Sequence, residues 1–261
     1  MAADASTLGF GVTYDMVAAQ TACGQLLTLT CHHSDDRIPP HSHVNDYLCI
    51  VLTGGFAERQ RDGWRDRRGG CFFVHHAGET HHDCFGPRGA TCLNLHFPEG
   101  EPGPPMDGMG SASAKIAAGE LAFEIAAGSR EELMMASLAA ELIGEMGVGH
   151  DCANDRGKWI DTVVEAISDE PDRRWTLGQL AGIARRHRIH IAQAFRAKTG
   201  ISLGAFQRRQ RLTCLSLALR RGTRPLAALA AEFGYCDQSH MNSEFRTAFG
   251  ISPGRYRREF H

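Results

Sequence analysis

Five short or planar hydrogen-bonding residues, Gln238, Ser239, His240, Asn242 and Ser243, crowd the start of an amphipathic segment near the C-terminal end. Side chains of this kind match the donors and acceptors on base-pair edges, and the first turns of a helix are what reach into a major groove. A second chemically capable set lies far upstream: His41 and His43, and then His81. On an extended backbone His41 and His43 point to one face, where imidazoles could hold a transition metal or line a polar pocket. The first chemistry needs a helix held at a fixed angle, and the second needs strands.

The helical support is legible around the polar row. Leu226, Leu229, Ala230 and Phe233 follow the i, i+3, i+4, i+7 repeat of a helix with one buried face. Gly234 then supplies a left-handed stop, and Asp237 offers an N-cap carboxylate for a second helix. Met241, Phe245 and Phe249 make that helix's dry side, Gly250 and Ser252-Pro253 end it, and a last short helix runs from Gly254 to Phe260. The arrangement recurs upstream, with helices expected over about Thr176 to Ala184 and Ile189 to Lys198, closed by Thr199-Gly200. A single helix over Ser202 to Arg221, with Leu203, Phe206, Leu212, Leu215 and Leu219 inward, links the two pairs. Twenty residues at ~1.5 Å each span roughly 30 Å, close to the ~34 Å between successive major-groove faces. One chain can therefore place two helices in adjacent grooves.

Charge divides the chain in the same way. Residues 156–261 hold 19 Lys+Arg and 9 Asp+Glu, a net of +10; the rest hold 9 and 21, a net of −12, which together give the overall −2. A basic C-terminal half is the electrostatic footprint of phosphate binding. The 261 residues suggest two domains. No apolar run reaches the ~18 residues of a membrane span, the start lacks a signal-peptide pattern, and nine irregularly spaced cysteines without a CxxC pair suggest reduced thiols. A cytoplasmic location is expected.

Short β-rich runs fill the N-terminal half: Leu27 to Cys31, Tyr47 to Leu52, Phe56 to Arg61, Cys71 to His75, Thr80 to Phe85 and Thr91 to Phe97. Gly54-Gly55, Asp62-Gly63, Gly69-Gly70 and Gly86-Pro87 punctuate them, and Asp62-Gly63 signals a hairpin. After them, FPEGEPGPPMDGMGSAS reads as loop. Helices are expected over about Ala114 to Ala126 and Ser129 to Gly147, the second with Leu133, Met134, Leu138, Leu142, Ile143 and Met146 on one side. A helix with Trp159, Ile160, Val163, Val164 and Ile167 inward opens the basic half. Cys31, Cys49, Cys71, Cys84 and Cys92 fall in or beside strands, as small buried hydrophobes do.

Residues 157 to 258 resemble the DNA-binding domain of the AraC/XylS family of bacterial transcription regulators. The resemblance is carried by WTLGQLA from Trp175, FRAKTGIS from Phe195, and LAAEFGYCDQSHMNSEFRTAFGISPGRYRR from Leu229. Two departures stand out: Arg185 to His187 occupy a turn where a small residue or glycine is usual, and Ser243 replaces a frequent Arg. The resemblance implies that Ile189, His190, Ala192 and Gln193 face bases in the first recognition helix, with Arg196 toward the backbone. In the second, Gln238, Ser239, His240 and Asn242 face bases and Arg246 a phosphate. It further implies double-stranded promoter DNA as partner, a small-molecule effector, a homodimer, RNA polymerase if the protein is an activator, and no enzymatic activity.

The N-terminal half resembles a cupin jelly roll. His41-Ser42-His43 with Gly54 is similar to the first cupin motif, and Gly70, Gly78 and His81 to the second. Cupins often hold a metal with three histidines and a glutamate, yet the glutamate position is Tyr47, with Asp46 one place off register. The expectation is therefore an effector pocket lined by His41, His43, Tyr47 and His81 with no metal or other cofactor, and a three-histidine metal site at His41, His43 and His81 as the alternative. His75, His76, His82 and His96 are expected as satisfied edge residues. The fold expected is multidomain, α and β: a cupin-like β-barrel over 1–110, a helical extension over 111–148 that resembles the family's dimerisation helices, a linker over 149–156, and an all-α domain with two helix-turn-helix units over 157–261. Other function classes are a metal-dependent cupin enzyme or metal or redox sensor fused to a DNA-binding domain, and a constitutive dimeric DNA-binding protein.

Overall fold

The structure, a computed structural model, describes residues 6–22, 25–129, 131–147 and 158–260. Contacts divide it into two compact units, residues 1–121 with 131–150 and residues 122–130 with 151–261. The linker expected over 149–156 lies outside the described residues, as do Cys23 and Cys152.

The first unit is a nine-stranded, mainly antiparallel sheet: β1 (Ser6–Leu8), β2 (Met16–Ala22), β3 (Gln25–His32), β4 (Arg37–His43), β5 (Tyr47–Gln60), β6 (Gly63–Arg68), β7 (Cys71–His75), β8 (His81–His96) and β9 (Asp107–Met109). The order β1-β4-β8-β5-β7-β9 forms the main path, with β3 also on β8, β2 on β3 and β6 on β5. Asp62-Gly63 does turn a hairpin, with Gln60 opposite Gly63. Two expected breaks are absent, however, because β5 runs through Gly54-Gly55 and β8 through Gly86-Pro87. At these points the β5–β8 pairing jumps from Gly54–Ala90 to Phe56–Phe85, which is a bulge rather than an end. Gly54 (φ +73°) makes this possible, since a Cβ there would lie 2.1 Å from the Gly89 carbonyl oxygen. Within the Pro/Gly-rich segment read as loop, Asp107–Met109 pairs with β7 as β9.

Side chains of β5 alternate between two buried faces. Tyr47, Cys49, Val51 and Phe56 join Ile38, Phe73, Phe85, Ala90 and Cys92 in one core. Leu48, Ile50 and Leu52 are buried on the other side. Two helices follow, α1 (Ala112–Ala127) and α2 (Glu132–Gly147). On α2 the buried positions are Met135, Ala139 and Leu142, whereas Leu133 is 88% exposed and Met134 and Ile143 are also exposed. Of the side expected to be dry, Leu142 is buried, while Leu133, Met134 and Ile143, which fit the same helical period, are exposed.

The second unit contains α3 (Lys158–Asp169), α4 (Leu177–Ala184), α5 (Arg188–Thr199), α6 (Leu203–Arg221), α7 (Leu226–Glu232), α8 (Gln238–Phe249) and α9 (Pro253–Phe260). Phe123, from the end of α1, belongs to its core with Leu212, Leu215, Leu219, Leu229, Phe233, Met241, Phe245 and Tyr256. The Ala126 carbonyl, one of the orphan acceptors at that helix end, takes bonds from the Tyr256 hydroxyl and from Arg220 Nη2 at 3.0 Å. No described helix is long and apolar enough to cross a membrane.

Candidate nucleic-acid interface and buried histidine cluster

Side-chain caps start α4, α5, α6 and α8, whereas α7 begins at Pro225 without one, and the caps of α5 and α8 help fix which way their polar rows face. At α4, Thr176 Oγ1 accepts from the Gln179 amide at 3.2 Å while Gln179 Oε1 accepts from the Thr176 amide at 2.9 Å, a reciprocal capping box. Arg185 ends α4 in the left-handed region at φ +49°. A glycine is the unstrained choice there, and a non-glycine costs roughly 1 kcal/mol. The His187 ring then caps α5 by accepting from the Ile189 amide at 3.4 Å. Ile191 and Phe195, both 0% exposed, anchor α5 one turn apart. Its outer side carries Ile189, His190, Gln193 and Arg196, all exposed, with Ala192 half-buried between them.

The second pair repeats this construction. Gly234 (φ +69°) makes the turn, and its Cα sits so close to the chain at Asp172 that a Cβ would lie 2.5 Å from that carbonyl oxygen. Asp237 caps α8, its Oδ1 accepting from the His240 amide at 2.7 Å. Met241 and Phe245 are fully buried. Gln238, Ser239 and Arg246 are exposed, while His240 and Asn242 are half-buried. His240 is held within its own unit, with Nδ1 3.2 Å from Cys236 Sγ and its ring edge-on to Tyr235 at 5.3 Å. Asn242 Oδ1 is buried without a hydrogen-bond partner.

Residues 180–259 match a family model described as a helix-turn-helix domain. A putative AraC-like transcription regulator of Streptomyces antibioticus is 34% identical over 99 residues, 38% of this chain and 33% of that protein. The C-terminal unit carries an AraC-type helix-turn-helix domain. The RCS-specific HTH-type transcriptional activator RclR of Escherichia coli is 32% identical over 98 residues, 38% of this chain and 34% of that protein. Among solved structures, a probable AraC family transcriptional regulator from Rhodopseudomonas palustris is similar at 24% identity and a TM-score of 0.37, covering 40% of this chain and 98% of that one. The match spans about a third of the length of the curated relatives. The matched residues run from within α4 into α9 and so include α5, α6, α7 and α8.

In the first unit the strand registers assemble the histidines. His41 on β4 stands opposite His81 on β8, and Tyr47 on β5 stands opposite His75 on β7 and His96 on β8. The rings cluster: His41 and His81 are 4.2 Å apart between centroids, His75 and His81 4.0 Å, and His43 and His81 5.5 Å. Tyr47 Oη lies 3.4 Å from His43 Nε2, and His41 Nδ1 donates to the Pro39 carbonyl at 3.0 Å. All four expected pocket residues are brought together. The cavity beside them, about 40 Å³, is lined by His41, His43, Tyr47 and His75 with Asp83 and Asn94 among its polar partners; His81, expected in the lining, packs behind it against His41 and His75. Space of that size holds a few waters or an ion.

His75 and His96 are not edge residues, contrary to expectation, being 3% and 0% exposed. His75 lies at the heart of the cluster, where β7 is covered on both sides. His76 is the exposed one, bonded to Asp46, whose carboxylate also accepts from the Ala77 and Gly103 amides and so secures loops. His82 packs edge-on against Trp64 at 5.0 Å. Sequence reasoning also passed over Glu58, 0% exposed, whose Oε2 accepts from Arg67 Nε at 2.7 Å. Its signal was available: Phe56, Glu58 and Gln60 share one face by strand alternation, so an inward Phe implied an inward carboxylate.

Burial holds these imidazoles neutral. It lowers His41 and His75, takes His43 down to about 3, His81 to about 2 and His96 to about 4, and raises the Glu58 and Asp83 carboxyls. The sign of the consequence follows from proton binding. Below about pH 6.5 the unfolded histidines take up protons that the folded ones refuse, so stability falls on acidification; the two carboxyls act oppositely, because their folded forms bind protons more readily. Five histidines outnumber two carboxyls, and each unbalanced proton contributes about 1.4 kcal/mol per pH unit. Denaturant titrations of the first unit's transition at pH 7.5 and 5.5 are expected to show a loss of several kcal/mol at the lower pH, and equal midpoints would refute the neutral, buried cluster.

Proposed function

We propose that this protein is a sequence-specific DNA-binding transcription regulator whose two helix pairs, α4–α5 and α7–α8, act as two helix-turn-helix units reading adjacent major grooves. The observation that carries this reading is the repeated construction: two capped helices, each anchored by an i, i+4 pair of buried residues, each presenting a polar row, at the two ends of the 19-residue α6. Gln193 and Gln238 are exposed planar hydrogen-bonding residues of those rows, suited to base edges. Ile189, His190, Ala192, Ser239, His240 and Asn242 complete the base-facing set, and Arg196 and Arg246 neutralise phosphates. The packing of His240 against Tyr235 and Cys236 supports an orienting role for its ring beside any base contact.

The sheet unit serves as a cupin-like jelly-roll sensor, and a small effector of few heavy atoms occupies the cavity lined by His41, His43 and Tyr47, with the His81 ring packed against His41. A homodimer fits the exposed Leu133, Met134 and Ile143 of α2, and RNA polymerase is the further partner if the output is activation. Effector binding needs to shift operator affinity by only ~1–3 kcal/mol to regulate. Footprinting the upstream intergenic DNA with and without candidate effectors tests the whole reading.

A further inference from the structure

Three buried polar atoms in the sheet unit have no hydrogen-bond partner and lie on residues that face one another: Glu58 Oε1, His75 Nδ1 and His81 Nδ1. Glu58, His75 and His81 are 0%, 3% and 2% exposed, and each offers a ligand atom within 4.8 Å of the other two. Buried groups left unpaired are costly, and these three leave the cluster short of partners, while His75 approaches Glu58 through its other ring nitrogen. Glu58 Oε1 and His75 Nε2 stand 3.3 Å apart. Metal–nitrogen and metal–oxygen bonds of ~2.1 Å put tetrahedral ligand atoms roughly 3.4 Å apart, so this separation suits two donors on one ion.

We propose that Glu58, His75 and His81 form a binding site for one divalent first-row transition-metal ion. Two imidazoles and a carboxylate are a donor set suited to zinc or ferrous iron, with further positions left for water or a small ligand. The neighbouring triad of His41, His43 and His81 also meets the distance condition, but it is three neutral imidazoles, whereas Glu58 gives the other set a carboxylate to balance part of a dication's charge. The Arg67 guanidinium beside Glu58 does not empty the site of negative charge, because Arg67 occupies Oε2 and is itself shared with Asp107. The buried Asp83 adds a second carboxyl nearby. The bond from Arg67 to Oε2 thus fixes the carboxylate and leaves Oε1 for the ion. The inference deepens the sensor reading and rests on it for the regulatory consequence alone.

The test uses the full chain, stripped with a chelator and titrated separately with Zn²⁺ and Co²⁺ at pH 7.5, with metal content, Co²⁺ d–d absorption and chelator-competition affinity as readouts. One tightly held equivalent is expected. Glu58→Gln and His75→Gln should each weaken binding at least 100-fold, while His41→Gln should cost less than tenfold. His75→Cys, in which sulfur replaces one nitrogen, should restore stoichiometric Co²⁺ with a new thiolate charge-transfer band, a result that a purely structural role for His75 would not produce. Absence of stoichiometric metal in the unmodified chain, or loss with His41→Gln and retention with Glu58→Gln and His75→Gln, overturns the proposal. A metal-free chain that still footprints its operator would remove this site and leave the DNA-binding reading standing.

Discussion

Phe245→Ala is expected to cost about 3–5 kcal/mol of stability in the second unit and to abolish operator binding at temperatures where the parent protein binds. Phe245 is 0% exposed, stacked on Phe249 at 4.2 Å and edge-on to Tyr256 at 5.2 Å, with Met241 one turn away on the same side. Truncating a buried aromatic loses both its transfer free energy and the contacts of the cavity left behind. A domain has only about 5–15 kcal/mol to lose, and α8 is held in place by this face and its cap. Urea denaturation monitored alongside a mobility-shift assay checks the result; a shift below 1 kcal/mol with full DNA binding would mean that α8 does not depend on this core.

The second large effect separates base reading from phosphate holding. Gln193→Ala is expected to weaken binding to the operator by about 1–3 kcal/mol while leaving random duplex unaffected, whereas Arg196→Ala should weaken both alike and reduce the salt slope by about 1. Both side chains are exposed on α5, so neither change disturbs the core formed by Ile191 and Phe195. Gln193 is a cleaner probe than Asn242, whose Oδ1 is buried and whose replacement also alters packing. Equal losses on operator and random DNA for Gln193→Ala would remove its base-reading role.

The helical half was legible in the sequence because its signals are local. Gly234, Asp237 and the spacing of Met241 and Phe245 specify a stop, a cap and a buried face within a dozen residues, and α7 and α8 follow them closely. Arg185 shows where local rules give way: without a glycine, the turn is made by an arginine in the left-handed region, held by the packing of the helices on either side. The sheet half was legible as strands but not as a site. Gly54-Gly55 signals an end in one dimension, yet pairing with β8 on one side and with β6 and β7 on the other carries β5 through it as a bulge. Likewise, His75 and His81 are six residues apart across a turn, and nothing along the chain indicates that their rings stack at 4.0 Å beside Glu58 from another strand. Long-range register decides that, and motif spacing drew attention to His41 and His43 instead.

The most direct test of two recognition helices on one chain is high-resolution footprinting of the full protein on its own upstream intergenic DNA. Protection is expected in two major-groove segments whose centres lie about one helical turn, ~10 base pairs, apart for each bound protomer. Gln193→Ala should weaken one segment and Gln238→Ala the other. A footprint confined to a single groove segment, or both variants acting on the same one, would contradict the account.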